Sequence, residues 1–374
     1  MKPDTIEQMV VRLVRWPLRM KRRHGVGDVE HSMPGVVIRL RTREGAVGWG
    51  EAAPWSVFSG TAEACAQALQ IYLKPLVLGA HPQQLPLLMQ AADKVIVGHP
   101  EAKAALEMAL LDLLGHASGL RVAELIGGVF RDRIPLSVSI ANPDFEEDLE
   151  FARQQLARGV RLFKVKTGFA SHREDLSRLE RLSAILPDDA QLRIDYNQGL
   201  DPWDALAKLR DVEAFSPTFI EQPVPRERRD AMAELARALD TPILADESVF
   251  TPAEAIEMAR ARFADCVSVK LMKCGGMRRA QEIAAIAEAA GIAAYGGTMY
   301  EAGIAITAGI HLVCATPNIC LGAEFYTSAY VLGVEVLNEP VRLDGGMSHL
   351  PPGPGLGIVV DEKALADVTE QVWT

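Results

Sequence analysis

Residues 162–168 read Leu-Phe-Lys-Val-Lys-Thr-Gly, a short strand-like run that turns charged where an apolar core pattern would stay apolar. Lys164 and Lys166, two residues apart, share one face of a strand. The same form returns at Leu192-Arg-Ile-Asp-Tyr-Asn197, Phe219-Ile-Glu-Gln-Pro223, Leu244-Ala-Asp-Glu-Ser248 and Val267-Ser-Val-Lys-Leu-Met-Lys273. From Lys166 the charges Asp195, Glu221, Asp246 and Lys270 follow at spacings of 29, 26, 25 and 24 residues. One strand-helix unit of a parallel barrel takes ~30 residues, so these charges fall at one height, the strand C-terminal ends where barrel active sites lie.

Working outward, eight β-branched runs alternate with amphipathic helical stretches: 134–141, 162–167, 192–196, 218–222, 242–246, 266–270, 293–297 and 318–324. Ser171-x-x-Glu174 and Thr251-Pro-x-Glu254 carry helix-capping signatures between them. Strand alternating with helix implies a parallel sheet, and eight units imply a closed, TIM-type (β/α) barrel in an α/β fold. Ahead of it, residues 36–52 alternate around a Glu44-Gly45 turn, a hairpin signal. Ala/Leu-rich helical periods then run from Thr61 to Gly127. The expected division is an α+β capping domain over 1–130, the barrel over 131–330, and a Pro/Gly-rich segment, 331–374, returning to the capping domain.

Composition narrows the function. Lys and Arg number 39 against 49 Asp and Glu, so the net charge of −10 offers no basic field for nucleic acid. The longest apolar stretch, Ala302 to Ala315, contains His311 and falls short of the ~20 residues of a membrane span. Lys2, Asp4 and Glu7 precede any apolar run and Arg12 and Arg15 interrupt the next, so no signal peptide and a cytoplasmic location are expected. Five cysteines without a C-x-x-C suggest neither a disulfide framework nor a zinc site.

Three carboxylates side by side raise one another's pKa unless a cation neutralises them. A hard divalent ion does so, and oxygen donors that leave positions for water and substrate suit Mg²⁺, with Mn²⁺ able to substitute. Asp195, Glu221 and Asp246 are the expected ligands of one ion per chain. Lys166 and Lys270 flank them on the second and sixth barrel strands, facing a bound substrate from opposite directions. Alone, any of these residues reads as a helix cap or surface ion pair; the register of all five decides.

The Lys-x-Lys motif, the Asp/Glu/Asp series and the strand-six lysine resemble the enolase superfamily in its muconate-lactonizing, muconate cycloisomerase-like subgroup. The likeness extends from Gly48-Trp-Gly-Glu51 through Gly296-Gly-Thr-Met-Tyr-Glu301 and Gly322-Ala-Glu324 to Pro354-Gly-Leu-Gly357. It implies a Mg²⁺-dependent enzyme that removes or returns a proton α to a small carboxylate substrate through an enolate, in a homo-oligomer. Lys166 matches the acid/base lysine and Lys164 its electrostatic helper. Lys270 matches either a second base or an enolate-stabilising cation. No histidine lies between His172 and His311, which disfavours the mandelate-racemase group with its strand-seven histidine. Strand eight offers Glu324 in place of the Asp-x-Asp of dipeptide epimerases. A cycloisomerase is the leading expectation. A racemase or epimerase of an amino-acid or proline derivative, or a dehydratase of a hydroxylated acid such as hydroxyproline, stands as the alternative.

Further candidates surround this set. The basic run Lys21-Arg22-Arg23 is expected either to clamp a second anionic group of the substrate or to form a solvated face. Trp55 and Phe58, in a Pro/Gly/Ser loop, read as a lid or as interdomain core. Thr298, Glu301 and Glu324 stand at strand ends seven and eight, Asn197 reads as a site or turn residue, Glu247 as a partner of a lysine, and His311 as a satisfied core residue.

Overall fold

The computed structural model describes residues 4–374; Lys2, one of the charges at the start of the chain, lies outside them. Strand β1 (Ile6–Pro17) leads into a small hairpin, β2 (Arg22–His24) and β3 (Gly27–Val29), then into β4 (Ser32–Thr42) and β5 (Val47–Ala52). Antiparallel pairing of β1 with β4 and of β4 with β5 builds the capping sheet.

Helix Pro100–Ser118 is buried along most of its length, as expected of a helix apolar on nearly every side. It packs on the capping sheet, and Gly48 and Gly50 permit the approach: a Cβ there would stand 2.3 Å from the Ala109 carbonyl and 2.0 Å from that of Ala105. Two of its charges satisfy backbone groups of other elements. Asp112 accepts the amides of Trp49 (2.9 Å) and Leu356 (2.8 Å), and Glu107 accepts that of Met277 at the start of a barrel helix. Asp112→Ala strands two buried amides at about 1–3 kcal/mol each. Urea unfolding should show a loss of about 2–6 kcal/mol, and an unchanged midpoint would refute the tie.

The barrel runs through β6 (Arg133–Ile140), β7 (Leu162–Lys166), β8 (Gln191–Asp195), β9 (Ile220–Glu221), β10 (Ile243–Ala245), β11 (Cys266–Val269), β12 (Ala293–Gly296) and β13 (Ile319–Glu324). All neighbours are parallel, and β13 pairs with β6 to close the ring. The eight strands fall on the eight expected runs. β9 is shorter than its run at both ends, and its C-terminal end stops where the chain turns at Gln222, which takes φ 34°. Thr251 and Glu254 form the expected reciprocal capping box, and Ser171 accepts the amide of Glu174.

After the barrel the chain touches both units. The hairpin β14 (Leu343–Asp344) and β15 (Met347–His349) adds to β6, and β16 (Thr369–Trp373) adds to β1. A second tie joins cap to barrel: buried Glu51 accepts the amides of Ala302 (2.5 Å) and Ala305 (2.9 Å) at the start of helix Gly303–Ala315. That start follows directly on β12, so the cap is anchored at the barrel mouth. Among the described residues no helix is long and apolar enough to cross a membrane.

Candidate active site at the barrel mouth

Strand register brings the charges together. Lys166 pairs with Asp195 across β7 and β8, and Asp195 with Glu221 across β8 and β9. Asp195, Glu221 and Asp246 are fully buried, whereas Lys166 and Lys270 keep 5% exposure, so the lysine tips stand nearer the opening. Lys166 Nζ donates to Asp195 Oδ2 (2.5 Å) and Asn197 Oδ1 (2.9 Å). Lys164 Nζ lies 3.1 Å from Glu221, 3.3 Å from Asp195 and 2.7 Å from Glu324. On the far side Lys270 Nζ donates to Asp246 Oδ2 at 2.5 Å.

The electrostatics follow this pairing. Burial and the neighbouring Asp195 charge push Glu221 up to about 7, against the pull of Lys164. Burial likewise opposes ionisation of Asp246, but Lys270 and Lys273 outweigh it and hold that carboxyl well below its ordinary range. Glu324 is held at about 2, because Lys164 and Lys166 outweigh its burial. Burial works against the charge of Lys164, Lys166 and Lys270 too, yet the carboxylates raise all three.

Ammonium groups thus stand among the carboxylates. Among the described residues no three His, Cys, Asp or Glu side chains close round one point as the side chains stand. Three buried carboxylate oxygens of this site, Glu221 Oε1, Glu247 Oε2 and Glu324 Oε1, have no hydrogen-bond partner. A buried oxygen acceptor without a donor is costly, and a hard cation is what such oxygens lack. The donor set therefore fits Mg²⁺.

The cap closes the other side. In β2 the side chains alternate, so Arg22 and His24 point inward and are buried while Arg23 points out. Arg22 donates to the Tyr326 hydroxyl (3.2 Å) and stacks over that ring, its Cζ 4.6 Å from the centroid. Its Nε is buried without a partner, and it has no ion-pair partner among the described residues. His24 hydrogen-bonds Tyr300 (3.2 Å) and packs edge-on against Trp55, ring centroids 5.0 Å apart. Trp55 and Phe58 are both buried, and Phe58 meets Lys270 Nζ at 5.0 Å from its centroid. Their loop covers the mouth. Beside it a cavity of about 640 Å³ runs between Ser56–Gly60 and Gln198, Arg226, Glu247 and Phe250.

The basic run does not reach the site as a unit. Lys21 is exposed near Glu30 (3.8 Å) and Arg23 is half-exposed on Asp28 (3.1 Å); strand alternation leaves only Arg22 facing in. Glu247 takes no lysine. It accepts instead from Asn197 Nδ2 (3.1 Å), so Asn197, at φ 41°, bridges Lys166 and Glu247. Thr298 lies at the end of β12, buried, with its hydroxyl unpartnered. Glu301 turns back to its own loop, accepting Met299 N at 2.6 Å. His311 is a satisfied core residue, bonded to Ala123 N (3.0 Å) and the Leu356 carbonyl (3.0 Å).

Three residues escaped the sequence reading. Gln222 braces the Asp246 strand end, its Oε1 accepting the amides of Asp246 and Ser248, both at 3.1 Å. Tyr326 carries Arg22. Lys273 bonds Asp246 from beneath. A left-handed Gln after a strand-end carboxylate leaves no mark in periodicity; the second lysine of Lys270-Leu-Met-Lys273 was visible and unused.

Two family models match the chain: the mandelate racemase/muconate lactonizing enzyme N-terminal domain over residues 6–127 and the enolase C-terminal domain-like family over 147–364. A chloromuconate cycloisomerase of Cupriavidus pinatubonensis is 37% identical over 97% of this chain and 97% of its own length. A muconate cycloisomerase structure from Azorhizobium caulinodans is 49% identical with TM-score 0.86, covering 98% of this chain and 99% of that one. An N-succinyl Arg/Lys racemase structure from Bacillus cereus is 30% identical with TM-score 0.93, covering 99% of each. The chain therefore belongs to the mandelate racemase/muconate lactonizing enzyme family of the enolase superfamily, and is an isomerase of that family.

Proposed function

We propose that this isomerase is a Mg²⁺-dependent cycloisomerase acting on an unsaturated dicarboxylate of the muconate kind. The observation that carries the reading is the placement of Lys166 and Lys270 on opposite sides of the buried Asp195, Glu221 and Asp246. Those three carboxylates would hold the ion, which when bound supplies positive charge that lowers the cost of an enolate. In the proposed reaction one substrate carboxylate adds to a double bond conjugated with the other carboxylate. A C–O bond forms, the π bond breaks, and its electron pair moves to the α-carbon and the carboxylate attached to it. Lys166 then gives its Nζ proton to that carbon, is reloaded from solvent, and in reverse takes the proton back. Lys164 keeps positive charge beside Lys166, and the Trp55–Phe58 loop excludes water.

Two details favour a dicarboxylate over an amino acid. Glu324, the acid at the end of β13, is taken by Lys164 at 2.7 Å, which leaves it poorly placed to grip an ammonium group. Arg22 is a buried cation with no direct ion-pair partner among the described residues, steadied only at longer range by Glu324 and Asp148, and so offers a substrate carboxylate a cation to meet. Arg22→Met should therefore raise KM about 10–100-fold, the worth of a charge-assisted hydrogen bond, with kcat little changed, the mark of uniform binding. Lys21→Ala and Arg23→Ala should stay within about twofold of wild type, as exposed pairs do. An unchanged KM in Arg22→Met would remove Arg22 from the substrate.

The deciding experiment is a screen of cis,cis-muconates, N-acyl amino acids, dipeptides and proline derivatives with solvent-deuterium incorporation as the readout. Lactone formation and label from the muconates is the expected result. Label confined to N-acyl amino acids would establish the racemase reading instead. We also propose a symmetric homo-oligomer, which light scattering tests.

A further inference from the structure

Lys273 has no part in the proton transfer described above, yet it is among the most completely buried cations of the chain. The single helical turn Leu271–Cys274 follows β11 and ends at Gly275, whose φ of 79° suits a left-handed cap. That turn carries Lys273 three residues past Lys270 and back beneath β10. Its Nζ donates to the Ser268 carbonyl (2.6 Å), the Asp246 carbonyl (2.8 Å) and Asp246 Oδ1 (2.9 Å). An ammonium has three donors, and all three are used. Lys270, by contrast, stands on the other oxygen, Oδ2, beside the Phe58 ring at the mouth.

The two lysines therefore divide Asp246 between them. Lys270 has one carboxylate bond and keeps some exposure, so it is able to leave Oδ2 for a substrate. Lys273 is saturated and enclosed. We infer that Lys273 is a positioning residue for metal binding: it pins Asp246 Oδ1 and the ends of β10 and β11, and so presents Oδ2 to the cation in one fixed orientation. This rests on the reading of Asp246 as a metal ligand. Partners that orient a ligating carboxylate typically cost 10–100-fold in metal affinity when removed.

The test is Mn²⁺ binding by electron paramagnetic resonance and calorimetry on wild type, Lys273→Met and Lys273→Arg, with thermal melts alongside. Lys273→Met should weaken Mn²⁺ about 10–100-fold, with kcat recovering as the metal concentration is raised. Lys273→Arg keeps the charge but not the three-way geometry, and should weaken Mn²⁺ severalfold while melting near wild type. Should the Met variant fail to fold, the Arg variant decides alone. Affinity within twofold of wild type in whichever variants fold, with only the melting temperature moved, makes Lys273 a strand tie and overturns the inference. No Mn²⁺ binding by wild type would overturn the metal reading, and this inference with it.

Discussion

Lys166→Ala should abolish exchange of the α-proton from every compound the enzyme accepts, whereas Lys270→Ala should slow turnover without stereochemical preference. The asymmetry follows from what each amine touches. Lys166 is held by Asp195 and by Asn197, a neutral bridge to Glu247, and has Lys164 two residues away on the same strand face. The Lys164 ammonium pulls against the rise that Asp195 causes, and a divalent ion drawing on Asp195 would weaken that rise, as a proton carrier needs. Lys270 has Asp246 and an aromatic face, surroundings that keep it charged. Loss of a preorganised charge stabiliser costs about 100–1,000-fold in rate, and that is the loss expected for Lys270→Ala. A racemase needs both amines as bases, one for each face. It would show the complementary pattern, each variant losing exchange from one enantiomer alone. Deuterium incorporation followed by NMR for wild type and both variants separates the cases, and complementary enantiomer-specific exchange would overturn the one-base assignment.

Much of this site was legible because charge at a strand end breaks an apolar pattern, and because barrel units have a nearly constant length. Lys164, Lys166, Asp195, Glu221, Asp246 and Lys270 each interrupt a β-branched run, and spacing alone put them on one rim. The cap was harder to read. Arg22 looks like its neighbours Lys21 and Arg23 until β2 forms and alternation turns one of the three inward. Tyr326 and Tyr300 become relevant only after β13 and β12 are set beside that hairpin. Gln222 and Asn197 act through left-handed turns, which depend on tertiary bonds that periodicity does not carry. Glu247, expected beside Asp246 to pair with a lysine, is taken by the bridge through Asn197 instead.

Chelation should extinguish activity and leave the fold standing, and Asp195→Asn should do the same permanently. Three buried carboxylates facing one another without a cation would repel strongly, so a metal site stripped of its ion often loosens. Here Lys164, Lys166, Lys270 and Lys273 all lie within 3.3 Å of those carboxylates. The stripped enzyme therefore keeps its charges paired, and its stability should fall only by the linkage contribution, about 2.7 kcal/mol for Mg²⁺ at a hundredfold over its Kd. Activity should vanish because the substrate carboxylate then meets no divalent charge, and because Lys166 stays bound to Asp195 at 2.5 Å. In Asp195→Asn the Coulomb attraction is gone from the carboxylate that both β7 lysines share. Mg²⁺ affinity should drop by more than the ~10–100-fold that outer partners cost, while circular dichroism stays native. Calorimetric titration of the variant, paired with turnover after exhaustive chelation of wild type, measures both effects. Undiminished turnover by the metal-free enzyme would refute the assignment of Asp195, Glu221 and Asp246, because lysines that already satisfy the carboxylates would then be all that the chemistry needs.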